Sequence, residues 1–194
     1  MFIKRFEYYK SLGDKTFGQL SDEQIFWQYN GESNSIAVIV KHIAGNMLSR
    51  WTDFLTEDGE KSWRNRDDEF INTFKTKQEV LDYWEKGWKC LFDALEQIND
   101  ENLYSIIYIR NEPHTVVDAV FRQLAHYPYH IGQIVYIAKM MKNEDWQTLS
   151  IARSKSEVFN NEMKNRFHED NGMNPGSSPV CYQNSPEIRD EYKP

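Results

Sequence analysis

The sequence predicts an all-α fold, a four-helix bundle, and three observations carry that reading. Apolar residues recur at steps of three and four along four long segments, the period of a helix with one buried face. Sequences of the form S/T-x-x-E/Q, which begin helices by reciprocal capping, stand at SDEQ 21–24, TKQE 76–79 and SKSE 154–157. Against these there is one short β-favouring run, Ile106–Ile109.

The elements follow in order. The first helix is expected over roughly 2–17, with Phe2, Phe6, Tyr9 and Leu12 or Gly13 on one side, and SDEQ announces a short helix after it. The second is expected from about Ser35 to Leu55, on the stripe Ile36, Ile39, Val40, Ile43, Met47, Trp51 and Phe54. The polar stretch TEDGEKSWRNRDDEF (56–70) reads as a loop exposed for most of its length. TKQE opens the third helix, whose stripe Leu81, Trp84, Trp88, Leu91, Leu95, Ile98 has the spacing of a bundle seam. In LYSIIYIRNEPH, RNEP is a turn signal beside the β-favouring run, so a short hairpin or an extended crossing is expected. The fourth helix is expected over about 115–142 on Val117, Val120, Leu124, Tyr127, Ile131, Ile134, Ala138 and Met141. SKSE caps a weak fifth helix through about Phe167, and an extended or disordered tail follows, with four of the six prolines and little apolar material. The domain reading is a bundle over 1–150, then a short helix and tail over 151–194. There is no internal repeat.

Composition narrows the function. The chain has 194 residues, 40% of them apolar and 14% aromatic, enough for one core. Its net charge of −7 argues against nucleic acid as a partner, since phosphate binding wants a basic surface. No stretch approaches the ~20 apolar residues of a membrane span, and the N-terminal MFIKRFEYYKSLGDK scatters charge where a signal peptide would be apolar. Cys90 and Cys181 form no CxxC and are expected as reduced thiols, so the expected location is the cytoplasm, with no membrane partner.

Chemistry concentrates in HYPYH, 126–130. Histidines four apart on a helix share a face, so His126 and His130 stack one turn apart, off the main apolar stripe. His42 stands on a small, polar face of the second helix with Ser35, Val38, Gly45, Asn46 and Ser49. If those faces meet, three imidazoles converge and can serve zinc, nickel, iron or copper. Three protein ligands leave a position for water, as in catalytic sites. Spacing alone favours hydrogen-bonded core or surface histidines over metal ligands, since H-x-x-x-H recurs by chance.

Neighbouring residues also keep two readings. Gln133, one turn from His130, and Asn46, one turn from His42, are candidates to hold an imidazole N–H, or make ordinary interhelical bonds. Pro128 either aims the imidazoles inward or is a tolerated bend. Gly132 is assigned to close packing. Arg50, Arg64, Arg66 and Arg153 are candidates for a carboxylate-bearing ligand, with surface salt bridges the favoured alternative. Trp51, Trp63, Trp84 and Trp88 read as core or interface, and Cys90 as a buried inert thiol. His114 and His168 are left out of the site.

AVIVKHIAGNM (37–47) and LAHYPYHIGQIVYIAK (124–139) resemble the two signature helices of the DinB/YfiT-like family of bacterial metal-dependent proteins. The shared pattern is a histidine early in the second long helix, then H-x-x-x-H followed by Gly-Gln in the last bundle helix. The linking SRWTDFLTEDGEKSWRNRDDEF (49–70) resembles an uncharacterised branch of that superfamily, and the likeness covers about residues 1–150. It implies a four-helix bundle holding one divalent metal, zinc or nickel, on His42, His126 and His130. It further implies a metal-dependent enzyme that activates a thiol or water. Some relatives transfer low-molecular-weight thiols such as bacillithiol to small electrophiles, and dimers are common among them. The alternative is a non-catalytic metal-binding stress-response or interaction module.

Overall fold

The computed structural model describes residues 2–168, with the side chain of His168 left out. The expected tail and Cys181 lie outside them. The chain divides between Leu149 and Ser150 into two units. The first carries α1 (Phe2–Gly18), α2 (Ile36–Trp51), α3 (Lys77–Leu95), β1 (Ile106–Ile109), β2 (Glu112–Thr115) and α4 (Val116–Lys142). The second carries α5 (Ser156–His168), which presents mostly exposed side chains. The described residues are thus mostly helical, with one small two-stranded sheet.

Two of the three caps read from sequence form, at SDEQ and TKQE; at SKSE the helix starts at Ser156 and Ser154 lies in the left-handed region at φ 63°. Ser21 and Gln24 bond reciprocally, Gln24 Oε1 accepting from Ser21 N at 2.9 Å and Ser21 Oγ from Gln24 N at 3.3 Å, ahead of a single 3-10 turn at Gln24–Phe26. Ser35, Thr76 and Thr115 each accept a backbone N–H of the first turn of α2, α3 and α4. In α3 the reach-back is displaced by one residue: Glu79 accepts from Lys75 N at 2.7 Å. The open choice at 106–115 resolves as a hairpin with antiparallel register Ile107↔His114. Its turn residues Arg110 and Asn111 both have positive φ, 57° and 63°, the requirement of a type I′ turn. Asp58 secures that turn by accepting from the backbone N–H groups of both, at 2.8 and 2.7 Å.

One core joins the first four helices. Trp84 and Trp88 of α3, Tyr127 of α4 and Phe6 of α1 are fully buried in it, and Phe6 packs between Trp88 and Tyr127. Trp63 is the exception among the tryptophans considered, at 60% exposed. Every residue of α2 except Lys41 and Leu48 is buried. Its central place requires close approach: a Cβ on Gly87 of α3 would lie 2.7 Å from Ala44 Cα. The second helix is also shorter than expected, stopping at Trp51 rather than Leu55: Thr52 turns extended at φ −66°, ψ 123°, and Asp53 follows in the left-handed region at φ 47°. No described helix is long and apolar enough to cross a membrane.

A helix buried all round must find partners for its polar side chains. α2 buries His42, Asn46, Ser49 and Arg50. The stretch 52–71 supplies most of those partners by folding back along α2. Gly59 O accepts from Ser49 Oγ at 2.7 Å and from Arg50 Nη1, and Gly59 N donates to Tyr108 O at 2.8 Å, tying the stretch to the hairpin. Its tips are exposed, as expected, but Gly59, Lys61 and Glu69 are buried.

Two glycines now separate by role. Gly132, expected to serve close packing, has nothing within 4 Å of where a Cβ would sit and faces open space. Gly87→Ala is expected to lose about 1–3 kcal/mol in urea denaturation through overpacking against Ala44. Gly132→Ala is expected to be neutral or stabilising by up to ~1 kcal/mol, since only helix propensity changes there.

Candidate metal centre

His42 rises from α2 and His126 and His130 from α4, and the three imidazoles meet. No two of their ligand atoms are more than 4.8 Å apart, and the ring centroids are 4.8–5.4 Å apart. Among the described residues no fourth His, Cys, Asp or Glu joins the group. His42 is buried and stacks on Phe70, while His126 and His130 are half-buried. α4 continues as helix through Pro128, so the two histidines keep their one-turn stagger.

Each ring is held at Nδ1. Glu69 Oε2 accepts from His42 Nδ1 at 2.9 Å, Gln123 Oε1 from His126 Nδ1 at 3.2 Å, and Gln133 Oε1 from His130 Nδ1 at 2.8 Å. A carboxylate can only accept, so His42 carries its proton on Nδ1 and leaves the Nε2 lone pair free. The same arrangement on the other two rings turns Nε2 of His126 and Nε2 of His130 toward each other at 3.1 Å. Two lone pairs at that distance repel, so the contact is held either by a proton on one Nε2 or by a metal ion bound to both. Tetrahedral zinc with bonds of 2.0–2.1 Å would separate ligand nitrogens by about 3.3 Å. The donor set therefore fits a divalent ion, with small closing movements among the rings.

The electrostatics favour the neutral form of the two donors on α4. Burial, followed by the positive charge of His130, His42, Arg50 and Arg64, lowers the His126 pKa to about 3. Burial and the charge of His42 also lower His130, partly opposed by the bond to Gln133. Burial would raise the Glu69 carboxyl, but hydrogen bonds from His42 and Arg64 outweigh it and hold the group below the ordinary carboxylate range. Glu69 is thus ionised where it orients His42.

Glu69 was not legible in the sequence. It lies 27 positions from its histidine, inside a charge-mixed run that reads as solvated. Arg64 explains its burial: Nε and Nη2 donate to the two Glu69 oxygens at 2.7 and 3.0 Å, and the side chains are 3% and 7% exposed. The surface salt bridge favoured for Arg64 is instead a buried bidentate pair, viable because the loop carries both charges inward together. Arg50 is likewise buried, bonding Gly59 O and Glu60. Arg66 and Arg153 are exposed. Gly45 makes room for this pair, since a Cβ there would lie 2.6 Å from Glu69 Oε1. Gln123 was also missed, although its signal exists: Q-x-x-H before His126 mirrors H-x-x-Q after His130.

Gln133 stands beside His130 as the spacing allowed. Asn46 lies by the site but serves another bond, its Oδ1 accepting from Tyr127 Oη at 3.1 Å, while Tyr127 accepts from Trp51 Nε1 at 3.1 Å. Cys90 is half-buried, and burial raises its thiol pKa. His114 pairs with Asp118 at 2.7 Å, outside the group. A cavity of about 260 Å³ adjoins His42 and His126, with Asn46, Gln123 and five arginines in its wall.

Glu69→Gln is expected to keep the fold and lower zinc affinity by about 10–100-fold, the usual effect of losing a carboxylate that orients a ligating histidine. Competition against a chromophoric chelator measures it, and unchanged affinity would remove Glu69 from the site.

No curated protein matches the chain. Among solved structures, one described as the "crystal structure of the conserved protein of locus from Enterococcus faecalis" is similar at 18% identity, with a TM-score of 0.54 over 71% of this chain and 92% of that one. At that identity the likeness speaks for the fold alone. The family model described as "Protein of unknown function (DUF1572)" matches residues 1–155, most of the chain, and the protein belongs to that family.

Proposed function

We propose that the protein is a metal-dependent enzyme of the DinB/YfiT-like kind, with α1–α4 as its four-helix bundle and His42, His126 and His130 holding one divalent ion. The observation that carries this is the convergence of three imidazoles, each fixed at Nδ1 by an acceptor. Three imidazoles suit zinc or nickel, and three protein ligands leave a coordination position for a reactant. When bound, such an ion supplies a Lewis acid that brings the pKa of a thiol or water toward neutrality. The chain's part is orientation: Glu69, Gln123 and Gln133 fix the rings, and Phe70 covers one face of His42. A low-molecular-weight thiol of the bacillithiol type and a small electrophile are the proposed reactants, in the cytoplasm. The adjoining cavity favours this over a closed, purely structural site.

Metal analysis of the purified protein is expected to find one divalent ion per chain, and His126→Ala is expected to lose it. Conjugation of bacillithiol to a model electrophile is expected to stop on chelation and return with zinc or nickel. A protein that refuses both metals would sink the proposal.

A homodimer is proposed through α4, where Phe121, Tyr129 and Tyr136 are 57–66% exposed on one side. Light scattering is expected to give twice the chain mass for the wild type and a shift toward the monomer for Tyr136→Glu. A wild-type monomer at micromolar concentration rejects this face.

A further inference from the structure

We propose that the cavity beside the three histidines is an oxyanion site: it takes the carboxylate or phosphate group of a small anionic substrate on guanidinium groups, with the reacting end toward His126. This rests on the proposed metal centre only for where the reacting end lies.

The first support is a local reversal of charge. The chain carries −7, yet Arg50, Arg64, Arg66, Arg110 and Arg122 line this cavity and no Asp or Glu does. They come from α2, the 52–71 stretch, the hairpin turn and α4, so no single solvated helix face explains their meeting.

The second support is that the carboxylates nearby do not balance them. Glu60 is shared by Arg50, Arg64 and Arg110 at 3.0, 3.1 and 3.2 Å. Glu69 is taken by Arg64 and His42. Glu112 stands 3.9 Å from Arg122, whose Nη1 also lies 3.3 Å from His114 Nε2. Among the described residues the Arg66 guanidinium meets only the ring of Phe70, 5.1 Å from its guanidinium carbon. Asp58 accepts from the backbone N–H of Arg110 and feels the Arg50 charge, so the five cations share three close carboxylates and one distant one.

The third support is a buried donor without an acceptor. Arg50, 7% exposed in the cavity wall, has an Nε–H with no partner among the described residues; that atom is itself closed to solvent, so an anion meets it only after the side chain shifts. Guanidinium groups suit planar oxyanions, which they bind through paired N–H groups. A volume of about 260 Å³ admits a small molecule, just below the usual 300–1,000 Å³ of ligand pockets. A polyanion such as nucleic acid would meet the repulsion of the rest of the chain.

Isothermal titration of the full chain, zinc-loaded and metal-free, tests this with succinate, inorganic phosphate and neutral succinamide. Saturable binding of at least one anion is expected, weakened by added salt, with none for succinamide. Preference for succinate points to a carboxylate substrate, preference for phosphate to a phosphorylated one. The double variant R66A/R122A changes two exposed or half-exposed side chains, so it is expected to fold normally and to keep its zinc. It is expected to lose at least about tenfold in anion affinity. His130→Ala, at a histidine outside the cavity wall, is expected to lose zinc and retain anion binding within a few-fold, so failure of the metal reading would leave this result standing. No saturable binding by wild-type protein at millimolar anion overturns the proposal. So does anion binding that requires zinc and survives R66A/R122A, because the ion itself would then be the anion's site.

Discussion

The burial of α2 on nearly every face is the constraint from which the rest follows. A helix so placed cannot leave His42, Asn46, Ser49 and Arg50 facing water, and it cannot leave them unpaired without a large penalty. Each is answered from elsewhere in the chain: His42 by Glu69, Asn46 by Tyr127, Ser49 and Arg50 by Gly59. The stretch 52–71 is therefore a wall of the site and a source of its hydrogen-bond acceptors.

That wall carries charge inward under tight conditions. The Glu69 carboxylate is affordable at its depth only because Arg64 grips both oxygens and His42 donates a third bond. The pair in turn holds a proton of His42 on Nδ1, which leaves Nε2 as the nitrogen available to a metal. Asp58 extends the same logic to the hairpin, since the turn it holds brings Arg110 to the cavity. A cluster of three imidazoles able to hold a metal and a cationic cavity are walled side by side by one folded-back segment.

The sequence made some of this readable. Helical periodicity located α1, α3 and α4 closely, because one buried face imposes a regular stripe. The stripe also located α2, but overran its end, since Phe54 remains buried after the helix has stopped. Ser-x-x-Gln and Thr-x-x-Glu announced helix starts because capping is a local interaction between residues three apart. The i, i+4 pair His126 and His130 and the nearby Gln133 were visible for the same reason. Glu69 and Arg64 were not, because a run alternating acid and base looks alike whether it is solvated or paired and buried. Gly132 was misassigned because a small residue on a helix fits close packing and open surface equally well.

What the sequence determined by itself is whatever depends on neighbours a few positions apart: helical segments, their caps, the hairpin's turn, and two histidines on one face. Only the tertiary structure decided that His42 meets them, that Glu69 is its partner, and that arginines from four segments surround one cavity. Those contacts join residues tens of positions apart, and their energies arise from shared burial, which no local pattern of residues encodes.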